Sequence, residues 1–299
     1  MPIDIHTRMI TLIGKPLGQS FAARMQNAAY AAAGLNLLYF YTEADEQHLA
    51  EIIQGLRRMN FAGFAVTSPN KIAVLRYLDA LDPLCEKIGA CNTVVRTPAG
   101  QLIGYNTDAA GFYTSLCTEG GVDIAQRSFF CIGAGGAGRA ICATLAHYGA
   151  RQIHIVDRVP QKAQDLVHDI NCRFAPVAHF AAPGDFSALA KCDVVLNASG
   201  VGMGDSSGES PLPATQIQAH QLYFDACYNP QKTRFLLDAE AKGCRILNGL
   251  GMSLYQGAAQ IELWSGEKAP LAAMRRELLD ILAEQEKRST QAVQGGVTE

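Results

Sequence analysis

The sequence predicts an α/β protein of two domains, the second built on a doubly wound parallel sheet. Three observations predict it. Short apolar strands alternate with amphipathic helices along most of the chain, a glycine-rich turn lies near its middle, and 48% apolar residues over a length of 299 suffice for two sizeable cores.

The first half opens with a strand at Met9 to Ile13, a helix from about Ser20 to Ala33 and a strand at Leu37 to Thr42. Leu49, Ile52, Ile53 and Leu56 fall at i, i+3, i+4 and i+7, which is one face of a helix. Phe64 to Thr67 supplies a third strand, and a helix is expected around Ile72 to Leu81. Asn92 to Arg96 and Leu102 to Tyr105 flank Thr97-Pro98-Ala99-Gly100, which reads as a hairpin with Gly100 in its turn. A helix from about Ala109 to Thr118 follows a domain boundary placed near Asp108, and the loop Glu119 to Gln126 leads to the central element.

That element is Phe129 to Gly138. Four apolar residues, Phe129 to Ile132, form a strand buried on both faces, and Gly133-Ala134-Gly135-Gly136-Ala137-Gly138 leads into a helix at Ala140 to Tyr148. Gly133 permits the sharp turn, Gly135 lets backbone N–H groups approach a pyrophosphate, and Gly138 lets helix and strand pack closely. The next strand, Gln152 to Val156, ends at Asp157, about 20 residues beyond the last glycine, where a carboxylate accepts ribose hydroxyls. Strand, turn, helix and acidic residue together indicate a Rossmann-type dinucleotide site. Strands at Val194 to Asn197, Leu222 to Asp225 and Arg245 to Leu247 complete the sheet, and the loop Asn197 to Gly202 is expected to border the cofactor. Helices at about Ser253 to Trp264 and Leu271 to Gln285 precede a polar tail, 286–299, that reads as disordered.

The totals narrow the partners. A net charge of −3 without long runs of one sign argues against nucleic acid or an anionic membrane and for small molecules. Nine cysteines, an odd number without a C-x-x-C pair, read as reduced core residues of a cytoplasmic protein. Asp4, His6 and Arg8 leave no signal-peptide apolar region in the first ten residues, and no run is long enough to span a bilayer. No cluster has metal-ligand spacing, and oligomeric state is not legible.

Polar residues at strand ends and in the following loops are the candidates for chemistry: Ser20, Thr67, Lys71, Asn92, Asn106, Asp108, Asn197, Tyr228 and Gln256. Taken singly, each has a structural role open to it: Lys71 as a solvated lysine, Asp108 as a helix N-cap, Thr67 as a strand former, Gln256 on an exposed helix face. Together they sit in familiar surroundings. Val66-Thr67-Ser68-Pro69-Asn70-Lys71, Gly89-Ala90-Cys91-Asn92-Thr93, Gly104-Tyr105-Asn106-Thr107-Asp108 and Gly249-Leu250-Gly251-Met252 with Gln256 resemble the motifs of the shikimate dehydrogenase family, in the same order and over nearly the whole chain.

The resemblance implies a catalytic pair, Lys71 and Asp108, with Ser20, Thr67, Asn92, Tyr228 and Gln256 on the substrate. It places Gly249 and Met252, with the glycine turn, Asp157, Arg158 and Asn197, near the cofactor. It returns residues 252–285 to the first domain (1–108) and leaves 109–251 as the dinucleotide domain. The reaction implied is reversible hydride transfer between a nicotinamide cofactor and shikimate, or next quinate.

Chemistry agrees, because oxidising a secondary alcohol needs a group that takes the hydroxyl proton while hydride leaves. Three departures stand out. The family's Ser-x-Ser-Pro step, which grips the substrate carboxylate, reads here as Ser20-Phe21-Ala22-Ala23 after Gln19, losing one hydroxyl donor worth roughly 1.5 to 3 kcal/mol. Ala65 also occupies a position that is often polar in the family. After the second strand of the dinucleotide domain, Asp157-Arg158-Val159-Pro160 replaces the Asn-Arg-Thr of NADP-using members. A carboxylate there repels a 2′-phosphate, so NAD is expected to be preferred, with Arg158 allowing some NADP use. The alternatives left open are a paralogue acting on another small hydroxy acid and a dinucleotide-binding regulatory protein without turnover.

Overall fold

A computed structural model describes residues 3–18 and 20–295; Met1, Pro2, Gln19 and the last four residues lie outside it. The described residues form two six-stranded sheets.

The first sheet takes β1 (Arg8–Gly14), β2 (Leu37–Glu43), β3 (Phe61–Val66), β4 (Ala80–Leu81), β5 (Thr93–Arg96) and β6 (Leu102–Tyr105) in the order β2-β1-β3-β5-β6-β4. It is mixed: β1 runs parallel to β2 and β3, whereas β5 is antiparallel to both β3 and β6. The hairpin closes as its turn residues require, with Gly100 at φ +83° and its N–H donating to the Thr97 carbonyl. The strands alternate between two apolar layers. Ile10 and Leu12 face α1 (Ala22–Ala33), α8 (Leu250–Ser265) and α9 (Leu271–Gly295), while Ile13, Phe64 and Val66 face α2 (Leu49–Arg58).

The second sheet is wholly parallel, in the order β12-β11-β10-β7-β8-β9, with β7 (Ser128–Ile132), β8 (Gln152–Val156), β9 (Ala178–Phe180), β10 (Val194–Asn197), β11 (Leu222–Asp225) and β12 (Arg245–Leu247). Its helices are α5 (Gly136–His147), α6 (Pro160–Arg173) and α7 (Arg234–Ala241). The strand order reverses between β7 and β10, so a crevice opens beyond their carboxyl ends. Cys131, Cys142 and Cys227 are buried free thiols. Among the described residues, no helix is long and apolar enough to cross a membrane.

The expected helix at Ile72 to Leu81 is absent. A single tight turn at Ala73–Tyr77 stands there instead, followed by β4 on the sheet edge. The cause is Asp79, whose N–H donates to the Leu102 carbonyl and whose carboxylate accepts from Leu102 N at 2.7 Å and from the Arg57 guanidinium at 2.7 and 3.1 Å. The helix comes later, as α3 (Pro83–Ile88), capped by Asp82 with Pro83 in its first turn. At the other end, α9 continues past Gln285 into the stretch expected to be disordered.

Helix α4 (Thr107–Thr114) joins the two sheets, and its packing on α8 is the closest approach that bears on function. A Cβ added at Gly111 would lie 2.5 Å from the Met252 carbonyl and 2.7 Å from the Gln256 amide, so only glycine permits this spacing. Gly111→Val is expected to lower stability by about 2 kcal/mol through overpacking. It should also lower turnover, because Asp108 and Gln256 ride on these two helices. Unfolding in urea, compared with wild type, checks the first effect; equal midpoints would show that the helices have room.

Candidate active site

Most candidate side chains are delivered by a strand end or a helix start; Gln256 comes from the interior of α8. After β3, Asn70 donates its N–H to the Thr67 carbonyl at 2.9 Å and its buried amide to Ala44 O at 2.8 Å, a fold that presents Lys71. After β6, Asn106 caps α4, its Oδ1 accepting from Ala109 N at 3.2 Å. Asn106 rather than Asp108 is therefore the cap, and the Asp108 carboxylate is left for another partner.

That partner is Lys71, whose Nζ donates to Asp108 Oδ2 at 2.6 Å. Both side chains are largely buried, 16% and 10% exposed, where an ion pair is screened less than at the surface. The other carboxylate oxygen accepts from Asn92 Nδ2 at 2.9 Å. Asn92 is fixed in turn: its Oδ1 accepts from Thr107 N at 2.7 Å and from Thr93 Oγ1 at 2.9 Å. From α8, Gln260 Nε2 donates to Thr93 Oγ1 at 3.0 Å, and Gln26 Nε2 on α1 donates to Gln260 Oε1 at 3.1 Å. A chain of buried hydrogen bonds thus runs from α1 through α8 to the Asp108 carboxylate.

A cavity of about 300 Å³ lies over this pair, bounded by Ser20, Ala22, Tyr39, Ala65, Thr67, Asn92, Tyr228, Ser253, Gln256 and Gln260. All five expected substrate residues therefore share one cavity with Lys71 and Asp108. Tyr228 stacks obliquely on Phe21, ring centroids 5.1 Å apart, and burial pushes its phenol up to about 12, so it is a hydrogen-bond donor at neutral pH. Gly249 and Met252, expected against the cofactor, line this same cavity. Gln260 and Ser253 were missed by sequence reasoning; Gln256 and Gln260 stand one helical turn apart, which is the signal that places them on a common face.

Toward the second sheet the space continues into a cavity of about 420 Å³ along Gly135, Gly136, Ala137 and Ser199, with Lys71 on its wall. Beyond it, a larger one of about 680 Å³ is lined by Gly133, Gly135, Asp157, Arg158 and Lys162. This larger cavity does not hold the reactive pair; it lies along the glycine turn and the end of β8, where a nucleotide would fit. The Lys71 stem lies against Gly136, where an added Cβ would be 3.1 Å from its Cδ.

The glycine turn divides its labour. Gly133 has φ +110° and backs onto Ala198, and a Cβ at Gly138 would fall 2.0 Å from the Gly133 carbonyl, so both serve packing. A Cβ at Gly135 would meet nothing within 4 Å, leaving an open cradle in front of the first turn of α5. The first hydrogen bond inside α5 is Arg139 N to Gly135 O, so the preceding N–H groups have no acceptor within the helix. These features fit a dinucleotide pyrophosphate.

Two expectations change. Asp157 is engaged with the backbone, Oδ2 accepting from Ala134 N at 2.8 Å and Oδ1 from Val159 N at 2.9 Å; it fastens the turn and offers only its remaining lone pairs to a ribose. Asn197 is fully buried and shapes the neighbouring loop instead of facing the cavity, donating to Val201 O and Asp225 Oδ1 and accepting from Ser199. Among the described residues, no group of three or more His, Cys, Asp or Glu is placed to hold a metal ion.

Comparison with known proteins gives the same outline. Residues 12–94 match the shikimate dehydrogenase substrate binding domain, 116–202 the shikimate / quinate 5-dehydrogenase family and 249–279 the shikimate 5′-dehydrogenase C-terminal domain. The chain is 39% identical over 283 residues to a shikimate dehydrogenase (NADP(+)) of Moorella thermoacetica, covering 94% of this chain and 95% of that one. Among solved structures, shikimate 5-dehydrogenase from Listeria monocytogenes, in complex with shikimate and NAD, superposes with a TM-score of 0.86 at 37% identity, over 93% of this chain and 98% of the other. A ligand-free 5-ketofructose reductase of a Gluconobacter strain superposes with a TM-score of 0.84 at 34% identity, over 93% and 100%. With the paired lysine and aspartate beside a dinucleotide cradle, these likenesses identify the chain as a member of the shikimate dehydrogenase family of nicotinamide-dependent oxidoreductases.

Proposed function

We propose that this protein interconverts shikimate and its 3-keto form with a nicotinamide dinucleotide, using Lys71 and Asp108 as the reacting pair. The observation that carries the reading is the 2.6 Å Lys71–Asp108 contact, set in a substrate-sized cavity that opens onto the glycine turn. When bound, the dinucleotide supplies the hydride acceptor for oxidation and the donor for reduction. The chain's own residues do the rest. In reduction the Lys71 ammonium gives a proton to the carbonyl oxygen, and in oxidation the neutral amine, its own proton already lost to solvent, takes the hydroxyl proton. Asp108 holds the Nζ in place and offsets its charge; Asn92 fixes the carboxylate. In this reading Thr67 and Gln256 hold ring hydroxyls and Ser20 and Tyr228 reach the far end of the substrate, while Asn92, whose amide N–H groups already donate to Thr107 Oγ1 and Asp108 Oδ1, shapes the cavity wall.

We assign residues 1–108 with about 252–285 to the substrate unit and 109–251 to the dinucleotide unit. Support comes from α8 and α9, which pack in one apolar layer with α1, β1 and β2. Closure of the two units over bound ligands would exclude water from the reacting pair.

NAD is the preferred cofactor in this reading. In this reading Asp157, which lines the dinucleotide cavity at the end of β8, would repel a 2′-phosphate, while Arg158 and Lys162 on the same cavity leave NADP some use. Comparison of kcat/KM for the two cofactors tests this, and a higher value with NADP would overturn the preference.

Lys71→Ala is expected to lower kcat by about 10²- to 10⁴-fold while NAD affinity, measured by calorimetry, stays within a few-fold. Full turnover by that variant would remove Lys71 from the chemistry. Gln260→Leu leaves the Thr93 hydroxyl and the Gln26 amide each short of a partner, so a stability loss of about 1 to 3 kcal/mol is expected, with a lower kcat as Asn92 and Asp108 loosen. An unchanged kcat would mean that Asn92 is held well enough without α8.

A further inference from the structure

The charge balance of the substrate cavity limits what it can select. Among the described residues lining it, Lys71 is the only formal cation and Asp108 the only formal anion, and they neutralise one another at 2.6 Å. No third charge is available to meet a carboxylate on the substrate. The start of α1 is the other place able to hold an anion, and two of its donors are already taken: Ala22 N donates to Ser20 Oγ at 3.3 Å and Ala23 N to Tyr41 Oη at 3.0 Å. Arg24 is tied to Glu277 and Glu284. Toward the cavity this helix start presents the methyl of Ala22. Asn92 and Gln260 are committed to the network around Asp108, so what remains is a set of neutral groups, Ser20, Thr67, Tyr228, Ser253 and Gln256, which recognise several hydroxyls.

We infer that this site selects its substrate by hydroxyls and carbonyl and not by a carboxylate, so that it also reduces uncharged polyhydroxy ketones to the corresponding alcohols. The inference rests on the Lys71 and Asp108 roles above. The balance is the same as for the acid: ketone, reduced dinucleotide and one proton give secondary alcohol and oxidised dinucleotide. A new C–H bond forms at the carbonyl carbon with the hydride electron pair, the C=O π pair moves to oxygen, and the Lys71 proton completes the hydroxyl. Lys71 is then reprotonated from solvent.

The test uses the full-length protein, the reduced-nicotinamide absorbance and three probes: shikimate, its uncharged methyl ester, and the neutral ketose 5-ketofructose. The inference expects the ester to keep kcat/KM within about tenfold of shikimate and 5-ketofructose to be reduced. A site that grips a carboxylate loses about tenfold to a hundredfold for each charged hydrogen bond removed. Ala22→Ser, which restores one donor, should raise the ratio of shikimate to ester kcat/KM about tenfold. Shikimate turnover with the ester more than a hundredfold worse and 5-ketofructose inert would overturn the inference and leave the proposed function standing. Turnover of the neutral probes without shikimate would uphold it and overturn the proposed substrate. No turnover of any probe by protein that binds NAD would overturn both.

Discussion

The ion pair between Lys71 and Asp108 depends on more of this structure than any other contact. Neither residue is held by its own element alone. Lys71 is turned inward by the Asn70 amide, and Asp108 is free for it because Asn106 takes over the capping of α4. Asn92 secures the second carboxylate oxygen, and the Gln26, Gln260 and Thr93 chain secures Asn92. In a buried polar network each satisfied member lowers the cost of the next, and one unsatisfied member raises the cost of all. Helices far apart in sequence therefore share responsibility for one oxygen-to-nitrogen distance.

The second constraint is steric and comes from glycine. Gly133 and Gly138 bring strand, turn and helix to distances that a Cβ would forbid, and Gly135 leaves the space in front of the helix start empty. Gly111 does the same between α4 and α8. The first set builds the dinucleotide cradle; the second draws Asp108 toward the helix that carries Gln256 and Gln260. Because the Lys71 stem rests on Gly136, the two constraints meet at Lys71.

Much of this was legible in the sequence, and for local reasons. Period-two and period-3.6 patterns located most strands and helices, and the Thr-Pro-Ala-Gly turn located the hairpin, because those signals depend on neighbours a few residues apart. The helix expected at 72–81 failed because Asp79 finds its partners at Arg57 and Leu102, which no local window contains. Asp82-Pro83, a helix start written in two residues, was legible and overlooked. At the site, Lys71, Asp108 and the hydroxyl-binding candidates were nameable because they stand in recognisable runs. Gln260 was not, because a glutamine inside a helix takes its meaning from whatever lies across from it.

By itself the sequence determined the alternation of elements, the glycine turn with its acidic companion and the residues able to move a proton, since each is a property of short stretches and of side-chain chemistry. Tertiary structure decided what those groups are free to do. Asp157 spends much of its carboxylate on Ala134 and Val159, Asn197 is buried behind the loop it shapes, and the Ala22 and Ala23 amides at the start of α1 are satisfied by Ser20 and Tyr41. Hydrogen-bonding capacity is finite for each atom, and how it is spent is settled only when distant parts of the chain meet.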